Sequence, residues 1–222
     1  MSVLVAGGTG YLGTAVVREL VSSGYSVTAT WIVEKERERL ESQDVELVQA
    51  DLFDAAATEA AVASVPDLEA VVNLVGGYAE GQRVHETDPD DFERLLRLNV
   101  RPAFLLARAA MPRLVERGGG AFVGVSARAA LRPFSGAAAY IAGKAAVLAL
   151  IQALDAEYKN DGVRCNAILP SVIDTPANRE SQPDADHSKW VAPEAIAKVV
   201  RFLVSDESGT TTGAAVPVYG RA

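Results

Sequence analysis

Short runs of aliphatic and β-branched residues recur along the chain at Val3–Ala6, Ser26–Thr30, Val45–Gln49, Ala70–Val75, Ala121–Val125, Val163–Leu169 and Ala214–Val218. Between them lie longer segments whose apolar positions return with helical spacing. The clearest is Tyr11–Ser23, which follows a Gly-rich turn and is closed by Gly24. Two helical segments stand out by length, Asp90–Glu116 and Gly136–Lys159. Pro102 and Pro112 mark candidate kinks in the first, because a proline lacks an N–H and crowds the carbonyl one turn back.

The strand candidates are nearly continuous in apolar residues rather than alternating. Strands have that character when both faces are covered, as in a parallel sheet with helices on either side. The pattern predicts an α/β chain with one Rossmann-type, doubly wound parallel β-sheet flanked by helices. The segment Ser171–Trp190, rich in Pro, Asp and Asn, reads as a loop over the site.

At 222 residues, 49% of them apolar, the chain can bury one sizeable core and is short for two, so 1–222 reads as a single domain. A net charge of −8, with no basic run beyond the mixed stretch Glu34–Glu41, argues against nucleic acid and anionic membrane as partners and points to a small-molecule substrate. The lone Cys165, in an apolar stretch, reads as a buried inert thiol. His85 and His187 sit in polar segments without ligand spacing, so they are expected to face solvent and no metal is expected. The N-terminal run breaks at once into glycines, and no window approaches about 18 uninterrupted apolar residues, which predicts a cytoplasmic protein. In a monomer the outer positions Leu105, Leu148 and Ile151 of the long helices would form an exposed patch, so a homodimer or homotetramer is expected.

Candidate chemistry begins with Gly7-Gly8-Thr9-Gly10-Tyr11-Leu12-Gly13, placed between the first strand and the first helix. Glycines there let the backbone approach a pyrophosphate, and the helix N-terminus favours its charge. The alternative is a merely structural turn. At the end of the second strand, where many dinucleotide folds carry an acid for the ribose hydroxyls, this chain has Thr30-Trp31-Ile32. Glu34 could meet hydroxyls and Lys35 or Arg37 a 2′-phosphate, so NAD(H) and NADP(H) both remain open. Asp51, followed by Leu52, is a candidate for the adenine edge, or else a helix N-cap.

Tyr140 and Lys144 stand four apart in a helical segment and leave it from one face. A neighbouring ammonium should lower the phenol's pKa from about 10, fitting it to proton transfer that accompanies hydride transfer. The Gly-rich turn, Asn73-Leu-Val-Gly76, Asn99, Ser126, the dyad and Asn166–Thr175 occur in an order that resembles the short-chain dehydrogenase/reductases over essentially the whole chain. The resemblance implies Tyr140 as acid/base, Lys144 as its ribose-binding and pKa-lowering partner, Asn99 as a proton-relay residue and Thr175 as the nicotinamide carboxamide contact. It further implies cofactor contacts at Trp31, Val75, Gly76, Gly77, Pro170 and Ile173.

Two departures from the family pattern stand out. Tyr11 replaces the middle glycine, giving a Gly-x-x-Gly-x-x-Gly spacing like that of longer epimerase-like relatives, although the short C-terminal part argues against a sugar-nucleotide site. The family serine, thirteen residues before the tyrosine, is Ala127 here, with Ser126 one step earlier; on a strand this offset turns the hydroxyl to the opposite face unless the following loop absorbs it. Val75–Tyr78, Ala127–Leu131 and Leu169–Asp186 followed by Trp190 resemble the dihydropteridine reductases, a branch that works without this serine. That implies reduction of a quinonoid dihydropterin, with Tyr78 stacking on the ring. A 3-oxoacyl or carbonyl (alcohol) reductase is the alternative, and a non-catalytic dinucleotide sensor is a rival of another class.

Overall fold

The computed structural model describes residues 1–221. Seven strands, β1 (Ser2–Ala6), β2 (Ser26–Trp31), β3 (Glu46–Gln49), β4 (Leu68–Asn73), β5 (Gly120–Val125), β6 (Val163–Pro170) and β7 (Ala215–Val218), form one sheet in the order β3-β2-β1-β4-β5-β6-β7. All the pairings are parallel. The order reverses between β1 and β4, so a crevice opens at the carboxyl ends of these strands, where doubly wound folds place their ligands.

Helices α1 (Tyr11–Ser22), α2 (Glu34–Arg37), α3 (Ala55–Ala63), α4 (Pro89–Arg117), α5 (Ala138–Tyr158), α6 (Pro176–Ser181) and α7 (Pro193–Val204) connect the strands. Strand side chains alternate between the faces. Leu4, Val71 and Phe122 therefore pack with α4 and α5, while Val3, Val5, Val72 and Val123 pack with α1 and α7. This two-sided burial accounts for the continuous apolar strand runs. Cys165 lies fully buried in the first of these cores, and burial pushes its thiol up to about 12, so it is a thiol at neutral pH.

Several expectations change. Pro102 and Pro112, marked as candidate kinks, do not divide the segment: both lie inside one helix of 29 residues. Each forfeits a single backbone bond, and packing against α3, α5 and the sheet holds the helix together. Leu105, Leu148 and Ile151 are buried, Ile151 closing on Gly124 of β5, so they form no exposed apolar patch and give no ground for self-association. The 171–190 segment is not all loop. Thr175 caps α6 by accepting from the Asn178 N–H at 3.2 Å, with Pro176 in the first turn, and a further short helix spans His187–Lys189. His187 is half-buried rather than solvent-facing, on the Trp190 ring with Nε2 2.9 Å from the Gln182 carbonyl. By length and composition alone Ala138–Asp161 could cross a membrane; in this fold it packs against α4 and the sheet.

Candidate active site

The turn from β1 into α1 is shaped for a close approach. Gly7 has φ +75°, and a Cβ on Gly13 would overlap the carbonyls of Gly7 and Gly8, so α1 can start directly above the strand end only without one. No side chain caps α1 at Gly10. The first-turn N–H groups of Tyr11, Leu12 and Gly13 are thus available to an anion. Leu12 itself packs against the α1-side core. Thr9 is buried, and its carbonyl accepts from Arg39 at 2.7 Å.

At the end of β2 the position that could carry an acid is occupied by Thr30, whose buried hydroxyl accepts from the Gly7 N–H at 3.0 Å. Trp31 is half-buried, with the Arg37 guanidinium 5.5 Å from its ring. The Arg39 guanidinium lies 4.3 Å from the half-exposed Tyr11 ring. Glu34 pairs with Arg37 at 3.0 Å and Glu36 with Arg39 at 3.1 Å, so Glu34 faces a cation rather than presenting a free carboxylate. Arg39, Tyr11, Arg18 and Thr175 help line a cavity of about 550 Å³. Sequence reasoning misses Arg39: the Glu-Arg-Glu-Arg run gives no sign of which arginine folds back to the turn.

Asp51 is exposed, and its carboxylate accepts from the Phe53 N–H at 2.9 Å, shaping the turn after β3. The cap of α3 is Asp54, accepting from Ala57 at 2.7 Å, so the N-cap alternative falls three residues further on. Leu52 is a core side chain, leaving only its backbone to face a ligand.

Beyond β4, the Val75 N–H donates to Asn73 Oδ1 at 3.1 Å, and the chain then passes the proton-transfer candidates. A Cβ on Gly76 would stand 2.8 Å from Lys144 Nζ and 2.7 Å from Asn99 Oδ1. Asn99, fully buried on α4, accepts from the Gly77 N–H at 3.2 Å and donates to the carbonyls of Gly77 at 3.1 Å and Leu95 at 2.9 Å. Its amide thus ties the 76–77 segment to α4.

Tyr140 is half-buried in the first turn of α5, and Lys144 is buried one turn on, with Nζ donating to the Val125 carbonyl at 3.2 Å. The lysine does not lower the phenol here. Burial pushes Tyr140 up to about 12 and brings Lys144 down to about 8, and the Lys144 ammonium is turned to the Val125 carbonyl. The Tyr78 ring meets Tyr140 edge-on, with centroids 4.8 Å apart.

The offset at Ser126 is not absorbed. Its N–H continues the ladder to the Ile168 carbonyl at 2.9 Å, and its buried hydroxyl donates to the Lys144 carbonyl at 2.7 Å. On the far side of the crevice, Pro170 ends β6 in register with Val218, and the half-buried Ile173 bridges to Val191. The Thr175 hydroxyl is engaged as the α6 cap.

The family profile for enoyl-(acyl carrier protein) reductase matches residues 10–220. A 2-(R)-hydroxypropyl-CoM dehydrogenase of Xanthobacter autotrophicus is 32% identical over 189 residues, which cover 78% of this chain and 76% of that protein. A solved short chain dehydrogenase/reductase family protein superposes with a TM-score of 0.92 at 32% identity, over 99% of this chain and 96% of that one. Levodione reductase superposes with a TM-score of 0.90 at 25% identity, again over 99% and 96%. With a glycine turn at the sheet's switch point and a Tyr/Lys pair opening α5, the chain belongs to the short-chain dehydrogenase/reductase family of oxidoreductases.

Proposed function

We propose that this protein interconverts a ketone and a secondary alcohol, with NADP(H) as its hydride carrier and Tyr140 as the proton donor and acceptor. The carrying observation is the placement of Tyr140: a half-buried phenol against the Tyr78 ring, one turn from a buried lysine whose Nζ faces Gly76. With burial pushing it up to about 12, Tyr140 is a neutral phenol at neutral pH, the form that gives a proton to a carbonyl oxygen.

The residues fit a dinucleotide. The Gly7–Gly13 turn admits a pyrophosphate backbone-close, Gly76 leaves space in front of Lys144, and Thr30 with Arg39 suits a 2′-phosphate better than a free diol. When bound, the nicotinamide supplies or takes the hydride at the substrate carbon. Lys144, with one carbonyl partner, keeps N–H groups for ribose hydroxyls, and Tyr140 moves the proton at the substrate oxygen. Asn99 orders the 76–77 backbone.

The relatives support this reading, since one is named for a secondary alcohol and another for a ketone. A second reading, reduction of a quinonoid dihydropterin, draws on Tyr78, whose ring beside Tyr140 offers an aromatic wall to a flat substrate. NADPH oxidation should be followed with levodione, acetoacetyl-CoA, a 3-ketosteroid and quinonoid dihydropterin. Turnover of a ketone is expected, and Tyr140→Phe should lose about a hundredfold or more in kcat while still binding NADPH. Turnover confined to the pterin would select the second reading. Cofactor binding without turnover of any of them would favour a sensor.

A further inference from the structure

Between β4 and α4 the chain must travel along the cleft, and it is tied down at two points there. Asn99 grips Gly77 through both its N–H and its carbonyl, at 3.2 and 3.1 Å. Gly81 donates to the carbonyl of Gly136, just ahead of α5, at 2.9 Å. Gly77 also runs flush against Leu98, whose side chain occupies the place of a Cβ. Tyr78 lies between these ties. Although 49% exposed, its ring stands at 84° to Tyr140 with centroids 4.8 Å apart, the edge-to-face geometry that aromatic quadrupoles favour. The serine that could have steadied the phenol is absent: position 127 is alanine, and the Ser126 hydroxyl is spent on the Lys144 carbonyl.

We infer that Tyr78 is a positioning residue for Tyr140, held by the Asn99 amide through Gly77 and supporting the phenol from the substrate side in place of a serine hydroxyl. The inference rests on the proton-transfer role proposed for Tyr140. The ring, not the hydroxyl, makes the contact. Burial and the neighbouring Glu80 carboxylate hold the Tyr78 hydroxyl well above the ordinary tyrosine range, so it stays neutral beside Tyr140. Asn99 and Tyr140 thereby become linked across α4 and α5 by one stretch of backbone.

The test uses NADP⁺-saturated protein with ring-labelled tyrosine, in which Tyr140→Phe assigns the Tyr140 resonance. In Tyr78→Ala the phenol loses cover, so its titration midpoint should fall by about one pH unit. Its kcat for the best ketone of the panel should fall about tenfold. Tyr78→Phe should restore both. An unchanged Tyr140 midpoint in Tyr78→Ala, with only KM raised, would make Tyr78 a wall for substrate and overturn the inference; so would a Tyr78→Phe variant as impaired as the alanine. If the alanine variant does not fold, Tyr78→Ser, which also uncovers the phenol, is judged by the same shift. Full turnover by Tyr140→Phe would instead remove the proposed reaction, while the resonance shift would still report whether the two rings support each other.

Discussion

At the end of β2 the chain borders the cleft with half-buried and exposed charges paired to each other, whereas at the start of α5 it buries a lysine and half-buries a phenol behind backbone. Arg37 and Arg39 share their guanidiniums between carboxylates one turn away and the Trp31 and Tyr11 rings. Ion pairs that still reach solvent on one turn of chain contribute little, of order 0.5 kcal/mol, so a phosphate can draw the arginines from their partners at small cost. Among the described residues Lys144 has no carboxylate partner, only the Val125 carbonyl. Its properties are set by exclusion of water, and they are present before any ligand arrives. One end of the site is thus adaptable and sensitive to salt, the other preorganised and sensitive to pH.

Breaking the buried end should have the larger effect. The folded protein holds Lys144 near 8, against 10.5 for an ordinary lysine. A lysine depressed in this way destabilises the fold fully below pH 8, where it must carry its charge in the interior, and the penalty fades as pH rises to 10.5. Lys144→Met should therefore be inactive yet more stable than the parent by about 2 to 3 kcal/mol at pH 7, and the gap should close by about pH 10. Urea melts at the two pH values measure it. A constant gap would mean that the Lys144 charge is already relieved in the fold.

The adaptable end is sharpened with Arg39→Ala. Loss of a charge-assisted bond to a 2′-phosphate, about 1.5 to 3 kcal/mol, should raise KM for NADPH at least tenfold while NADH changes by less than about twofold. Added salt should weaken NADPH binding in the parent and far less in the variant. Equal losses with both cofactors would show instead that Arg39 serves the turn, through the Thr9 carbonyl and the Tyr11 ring.

The same contrast divides the features that are legible in the amino-acid sequence from those that are not. The sheet, the glycine turn and the Tyr140/Lys144 spacing are legible because each depends on local periodicity or on a conformation that few residues adopt. Arg39 is not: its approach to Thr9 spans thirty residues, and a charged run looks the same whether solvated or folded back. Helical spacing gives the stripe that holds Leu105, Leu148 and Ile151 but not its direction; all three are buried, and Leu148 and Ile151 join the core beneath α4 and the sheet instead of facing outward. The direction of the Tyr140 shift is hidden for a different reason. A nearby ammonium and burial act in opposite senses, and the depth at which the fold buries Tyr140, which raises it, is not written in the Tyr-x-x-x-Lys spacing.

The smallest effect is expected at Ser126, and it separates the two uses of a buried hydroxyl at the preorganised end. Continuation of the strand ladder through the Ser126 N–H fixes its side chain toward the backbone of α5, where it donates to a carbonyl that helical geometry also supplies with an N–H one turn on. Removing the hydroxyl leaves no acceptor stranded, so Ser126→Ala should cost about 1 kcal/mol of stability. Ketone turnover should stay within about twofold of the parent, because neither Tyr140 nor the substrate oxygen loses a partner. Paired melts and NADPH oxidation rates give both numbers. A tenfold fall in kcat with unchanged stability would mean that Ser126 turns toward the substrate during turnover, and the support assigned to Tyr78 would then have to be shared with it.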